Sequence, residues 1–442
     1  MSASSVSAAR SNSGYGRGAR ILSVGIALTG VVTLAYFVLA AQALGGDSVE
    51  YKHISLVWSI MFIVASVIYR PIEQLLSRTI ADRRARGHRG GHNLRVALLI
   101  QAAFALVFLG VALLLRDLLQ DDLFDGSAAL YWVLVVGVLA YGGSYFARGF
   151  LAGHQRFGLY GLLVFLEAIS RVLFALAVVV GIASGQLAVA LGMAAAPLLS
   201  LLVVPWFFAH REENGPPADV SAVEEAGGGL TLRHGAPFAA AVFAVMISEQ
   251  TLLNAAVLTV EGTSADAALA AIVFSVLLIA RAPLQLFQAV QGSLLPHLAG
   301  LQATAGEAEF RGAIRVTVLA IAAFALAVAA GLFAVGPLVV GTLFDIDRDI
   351  GRAGLALVGL GMGFHLVAGT LNQAALARGH ALGAALAWLA CAGAFVGWML
   401  SPAIEDQLLR TEVGYCCATA LLAALLFVVY RAGGPISATD AA

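Results

Sequence analysis

The sequence predicts an all-α membrane protein of about 12 transmembrane helices, divided six and six, and three observations carry that expectation. Hydrophobic residues make up 60% of the 442-residue chain and charged residues only 12%, with a mean hydropathy of +0.91. A soluble domain is about 45–50% apolar and about 25% charged, so lipid must be part of the solvent here. The apolar residues also fall into twelve runs near the length of about 20 residues that a bilayer crossing needs. Finally, the basic residues are shared unequally between alternate connections.

Taken in order, a Ser-, Gly- and Arg-containing leader (residues 1–20) precedes a first run from Ile21 to Leu44. Ala41-x-Ala43 resembles a signal-peptide cut, but a signal core is about 7–15 residues, so the longer run reads as an uncleaved helix. The second run goes from Ile54 through Tyr69-Arg70-Pro71-Ile72-Glu73-Gln74 to Ser77. Four more follow at Val96–Leu115, Leu130–Ala147, Tyr160–Ala183 and Leu187–Ala209, completing a first lobe over 21–209. The longest polar interval, 210–235, holds Gly215-Pro216-Pro217 and Gly227-Gly228-Gly229 and reads as a linker. The second lobe, 236–431, contains Ala236–Val260, Ala267–Leu286, Val316–Phe333, Ala353–Leu376, Ala381–Leu400 and Val413–Tyr430, before a tail at 432–442.

Orientation follows from the basic residues. With the N-terminus inside, the inner segments hold Arg10, Arg17, Arg20, six arginines from Arg78 to Arg95, Arg148, Arg156, Arg211, Arg233, Arg311, Arg315, Arg378 and Arg431, 17 in all. The outer loops hold five: Lys52, Arg116, Arg348, Arg352 and Arg410. That asymmetry favours both termini in the cytoplasm and an even number of spans, and the chain is expected in the plasma membrane. The stretch Arg83-Arg84-Ala85-Arg86 reads as an anchor at anionic headgroups.

Short echoes hint at duplication: Arg70-Pro71-Ile72-Glu73-Gln74 matches Arg281-Ala282-Pro283-Leu284-Gln285, and Gly153-His154 matches Gly379-His380. Parallel repeats of six spans fit a two-lobed membrane protein.

Six charges fall inside the runs: Arg70, Glu73, Glu167, Arg171, Glu249 and Arg281. Each costs about 2.5–3.5 kcal/mol or more at a helix centre, so each needs a partner or a watery cavity. Glu167 and Arg171, four apart, read as an intrahelical structural pair, and Arg70 and Glu73, three apart, can pair as well. Pro71 between them removes one backbone donor and frees a carbonyl. Glu249 and Arg281 have no opposite charge within helical reach. Gln74, Gln250, Asn254, Gln285, Gln288, Gln291, Asn372 and Gln373 add a polar stripe, read either as cavity lining or as helix–helix hydrogen bonding. His365 reads as a packing residue before a proton relay.

Several classes are excluded or weakened. A net charge of −1 argues against nucleic-acid partners. Cys391, Cys416 and Cys417 sit in apolar runs without metal-ligand spacing and read as small buried residues. There is no Walker loop, zinc-protease helix or nucleophile elbow, so the chain is expected to have no cofactor, metal or catalytic residue and not to be an enzyme.

The segment Ser77-Arg78-Thr79-Ile80, the stretch from Ala147-Arg148-Gly149-Phe150-Leu151-Ala152-Gly153-His154-Gln155-Arg156-Phe157-Gly158-Leu159-Tyr160 to Glu167 and Arg171, and Gln285-Leu286-Phe287-Gln288-Ala289-Val290 followed by Pro296 resemble the polysaccharide-export flippases. These belong to the multidrug/oligosaccharidyl-lipid/polysaccharide exporter (MOP) superfamily, with the O-antigen and lipid II flippases. The resemblance implies a V-shaped pair of six-helix lobes around a central cavity. It also implies a polyprenyl-pyrophosphate-linked saccharide turned from the inner to the outer leaflet for cell-surface polysaccharide assembly. Arg70 and Arg281 match cavity arginines of lipid II flippases on the second and eighth helices; the first-helix arginine has no counterpart, which points toward exopolysaccharide precursors. On this reading Arg70 and Arg281 bind the pyrophosphate, and Gln74, Gln285, Gln288 and Asn254 the sugar. Glu73 or Glu249 couples to a proton or sodium ion. The lipid-linked oligosaccharide, membrane lipids and other polysaccharide assembly proteins are then the partners. A multidrug cation antiporter of the same superfamily is the nearest alternative, followed by a membrane polysaccharide polymerase or glycosyltransferase and by an envelope scaffold.

Overall fold

The computed structural model describes residues 25, 28–85, 92–209, 232–266, 268–279, 284, 307–348 and 350–432. The leader, most of the linker, Arg281, Gln285, Gln288, Gln291 and residues 433–442 lie outside the described residues.

Among the described residues twelve apolar helices follow one another. They are α1 (Leu28–Leu44), α2 (Val49–Ala85), α3 (His92–Leu114), α4 (Ala128–Gly153), α5 (Phe157–Val179) and α6 (Gly185–Ser200, prolonged through a tight turn to Ala209). After the linker come α7 (Leu232–Thr263), α8 (Leu269–Ile279), α9 (Glu307–Phe344), α10 (Arg352–Ala377), α11 (Ala381–Leu400) and α12 (Gln407–Ala432). Ten are long and apolar enough to cross a membrane; α1 and α8 are shorter and adjoin residues outside the described set. The order and spacing match the twelve expected runs.

Local chemistry sets the helix ends. Ser127 Oγ accepts the Leu130 amide at 3.3 Å to start α4, and Asp406 Oδ1 accepts the amides of Leu408 and Leu409 to start α12. α11 stops at Ser401, whose backbone is extended before Pro402 (φ −81°, ψ 146°). The expected runs fall short of α2 and α9, which extend 37 and 38 residues: α2 continues into a charged segment ending at Ala85, and α9 stays apolar from Phe310 to Phe344. Pro71 and Pro337 lie inside these helices without ending them. Membrane helices tolerate proline where neighbouring groups satisfy the freed carbonyl.

In the first lobe α2 packs on α4, α4 and α5 pack on α6, and Tyr36 Oη of α1 donates to the Val189 carbonyl of α6 at 3.1 Å. In the second, α10 packs between α9 and α12, and α11 against α7 and α12. A Cβ on Gly361 of α10 would stand 2.7 Å from the Tyr415 ring of α12, so glycine is what lets these two helices close.

The lobes meet along α1 and α2 on one side and α7 and α8 on the other. The contact is layered at the start of α2. Phe37 packs on Phe274 with ring centroids 4.8 Å apart and on Trp58 at 4.9 Å. Ser275 Oγ donates to Tyr51 Oη at 3.3 Å, Lys52 Nζ to Glu261 Oε1 at 3.0 Å, and the Gly46 amide to the Asp345 carbonyl at 3.3 Å. His53 links this layer to the first lobe, with Nδ1 2.9 Å from Gln186 and Nε2 3.1 Å from Asp125. The lobes are thus joined at this end.

Four basic residues assigned to connections are buried instead: Lys52, in the interlobe layer just described, and three arginines. Arg378 stacks on the Phe310 and Tyr430 rings and donates to the Tyr430 carbonyl. Arg410 donates to the Met399 and Ile404 carbonyls. Both satisfy backbone acceptors at helix ends, a role a cation fills well. Arg148 is the third and belongs to the site below.

Candidate functional site

A cavity of about 310 Å³ lies between the lobes, walled by α1, α2, α4, α5, α7 and α8. Along α2 it runs from Trp58 to Gln74, roughly 24 Å at the helical rise, and the Lys52 layer closes it about 9 Å beyond Trp58.

Its first-lobe wall depends on close approach of α2 and α4. A Cβ on Gly149 would meet the Glu73 carbonyl oxygen at 2.7 Å and the Glu73 Cα at 3.0 Å. Glycine there brings Arg148 and Glu73 to one surface. Arg148 Nη2 then reaches Glu167 Oε2 at 2.5 Å, and Ser144 Oγ donates to the same oxygen at 3.0 Å. Arg171 Nη1 reaches the other oxygen, Oε1, at 3.2 Å, while donating to Tyr141 Oη at 2.7 Å; its Nη2 donates to Thr33 Oγ1 at 3.3 Å. Glu167 therefore serves two arginines at once. Both guanidiniums also lie against aromatic rings, Arg148 4.5 Å from Tyr145 and Arg171 5.0 Å from Trp58. This is a buried Arg–Glu–Arg triad, with the three side chains no more than 10% exposed.

Glu73 is held separately: its Oε1 accepts from Tyr160 Oη at 2.7 Å. The helical spacing allowed an Arg70–Glu73 pair, but no such ion pair forms; Tyr160 takes the carboxylate instead. Arg70 and Glu249 line the cavity half-buried, from opposite lobes. Among the described residues neither makes an ion pair or a hydrogen bond. Below Glu249 on α7, Asn254 Nδ2 donates to the Gln250 carbonyl and side chain.

Of the residues singled out by sequence, Arg70, Glu73, Gln74, Glu167, Arg171, Glu249, Gln250 and Asn254 all border this one cavity. Arg281, Gln285 and Gln288 fall outside the described residues. His365 and Asn372 do not border it. His365 packs in the second lobe with Nδ1 3.4 Å from Tyr415 Oη, and Asn372 Oδ1 accepts from Trp388 Nε1 at 3.2 Å.

Sequence reasoning missed Arg148, Tyr160 and the aromatic wall of Trp58, Phe62 and Tyr145. Arg148 was counted as an inner-loop charge because the strongly apolar run ends at Ala147. The small and apolar residues from Gly149 to Gly153 were the available signal, since α4 continues through them.

No protein-family model and no curated protein sequence matches the chain. Solved structures do. The eukaryotic MATE transporter AtDTX14 superposes with a TM-score of 0.63 at 15% identity, over 94% of this chain and 96% of that one. A mutant of the Vibrio cholerae MATE transporter VcmN gives 0.61 at 10% identity, over 95% and 98%. A MOP superfamily transporter from Pyrococcus furiosus, described for the reverse polarity of its binding pocket, gives 0.61 at 15% identity, over 94% and 95%. The chain therefore has the two-lobed, all-helical fold of the MATE transporters of the MOP superfamily.

Proposed function

We propose that the chain is a membrane transporter that carries an amphipathic organic solute by alternately opening a cavity between its two lobes. The observation that supports this most directly is the charged, aromatic-walled cavity at the lobe interface, closed at one end by contacts that cross from lobe to lobe. Charges held inside membrane spans mark solute or ion pathways, and in repeat-built transporters the site lies at the repeat interface.

Two cargoes compete. A small organic ion, the multidrug type of cargo, has the better support. Structural neighbours of similar fold include MATE family transporters named for multidrug resistance. The cavity volume sits at the lower end of the range of about 300–1,000 Å³ typical of small-molecule sites. The second reading is the lipid-linked saccharide, with Arg70 and Arg281 holding a pyrophosphate, Gln74, Gln285, Gln288 and Asn254 the sugar, and Glu73 or Glu249 coupling to a proton or sodium ion. Arginine is the side chain suited to a pyrophosphate, which favours it. Against it, Arg148 and Arg171 are already committed to Glu167, which leaves Arg70 as the open cation among the described residues. Neither reading requires a catalytic step.

The test is transport by purified protein in vesicles. Concentrative uptake of tetraphenylphosphonium under an imposed proton or sodium gradient supports the organic-ion cargo. Leaflet exchange of a fluorescent polyprenyl-pyrophosphate disaccharide, without movement of the cation, would install the saccharide instead.

A further inference from the structure

The six charged side chains that line the cavity have different standings. Arg148 and Arg171 are saturated by one carboxylate, Glu167, and Glu73 is engaged by Tyr160. Two remain that no hydrogen bond or ion pair occupies among the described residues, and they are opposite in sign: Arg70 on α2 and Glu249 on α7. They belong to different lobes, and they are too far apart to pair directly. Each is a charge that a membrane interior does not tolerate alone. The rings of Trp58, Phe62 and Tyr145 and the amide of Gln250 line the same cavity.

A solute with a single charge would satisfy one of these groups and strand the other. A cation at Glu249 leaves Arg70 uncompensated, and an anion at Arg70 leaves Glu249 so. From this geometry we infer that the preferred cargo is a zwitterion: a small solute with an aromatic or apolar body, a carboxylate or similar anion facing Arg70, and an ammonium facing Glu249. Such a solute completes both charges at once and bridges the lobes, so its binding favours the closed cavity over a state in which the lobes part. It also crosses the membrane without carrying net charge. The inference rests on the transporter reading and narrows its cargo.

The test uses matched probes on one indole scaffold, binding to the full chain in detergent followed by calorimetry. Tryptophan and glycyl-tryptophan are the zwitterions, their methyl esters the cations and their N-acetyl forms the anions. At least one zwitterion binds about tenfold or more tighter than both of its singly charged forms, the discrimination one charge-assisted hydrogen bond provides. Arg70→Gln abolishes the preference of that zwitterion over its ester, and Glu249→Gln its preference over the N-acetyl form. Arg70→Lys and Glu249→Asp keep the charges and retain most of the preference, which separates charge recognition from misfolding. Equal binding of zwitterion and ester, or no binding by either zwitterion, overturns the inference. Cation transport in vesicles would survive either result, so the failure of this cargo is distinguishable from failure of the transporter reading.

Discussion

Lys52 Nζ lies 3.0 Å from Glu261 Oε1, so the chain's only lysine ties the start of α2 in one lobe to the end of α7 in the other. The side chains are 6% and 12% exposed, and Asp125 stands 4.0 Å away on the first-lobe side. Removing one partner of a buried pair costs about 3–5 kcal/mol, because the other charge is left uncompensated. Lys52→Ala is therefore expected to part the lobes at this end. Spin labels on the turns at 45–48 and 345–348 should report a longer or broader distance. The exchange Lys52→Glu with Glu261→Lys should restore the short distance; no change in the single variant would show the pair to be incidental.

The exposed counterpart should behave differently. Arg348 and Asp266 form an ion pair at 2.5 Å, within one lobe and with both side chains more than a third exposed. The Arg348 guanidinium holds the Asp266 carboxyl below its ordinary range. A depressed carboxylate contributes above its unfolded pKa, and that contribution is lost as pH falls through the lower folded value, so the contribution is present at neutral pH and its pH dependence falls in the acid range. Arg348→Ala should cost less than about 1 kcal/mol at neutral pH and leave the interlobe distance unchanged. Thermal unfolding in detergent at pH 7 and at acid pH measures both.

The Arg148–Glu167–Arg171 triad gives an ordering. Glu167→Ala leaves two buried guanidiniums without their shared acceptor, whereas Arg148→Ala leaves Glu167 paired with Arg171. Glu167→Ala should lower the melting temperature most, with a loss of about 3–5 kcal/mol, and Arg148→Ala by less. Glu167→Ala combined with both arginines replaced by methionine should recover stability, because an apolar replacement of a buried ion cluster is often neutral or stabilising. The reverse order would contradict the triad geometry.

Gly149 and Gly158 form a matched pair. A methyl on Gly149 meets Glu73 backbone at 2.7 Å, whereas Gly158 has nothing within 4 Å. Gly149→Leu should separate α4 from α2 and abolish ligand binding, whereas Gly158→Ala should leave binding intact. Equal tolerance at both positions would show that the wall at Glu73 does not depend on this approach.

Much of the fold was legible because bilayer solvent imposes a simple rule: about 20 apolar residues per crossing, with charges left for the connections. That rule located the twelve helices seen among the described residues. It also made Arg70, Glu73, Glu167, Arg171 and Glu249 conspicuous, and these gather at one cavity. Its failures have the same origin. A charge near a helix end, such as Arg148, Arg378 or Arg410, looks like a loop residue to hydropathy, although each is buried by partners from other helices. Glu412 escaped notice in the same way, being buried in the first turns of α12. Pairings across helices depend on glycine contacts and rotamers that one sequence does not display, so Tyr160 could not be set against Glu73, nor Lys52 against Glu261.

The measurement that tests the transporter account most directly is side-specific labelling of Asn254→Cys, in a chain whose three native cysteines are replaced by serine, reconstituted in oriented vesicles. A membrane-impermeant maleimide should reach the cavity from one face only in the otherwise unaltered protein, and from both faces once Lys52→Ala weakens the seal. Labelling from both faces with Lys52 and Glu261 intact would describe a pore, and labelling from neither face in any variant would describe a closed helical scaffold; either contradicts a cavity that opens alternately between two lobes.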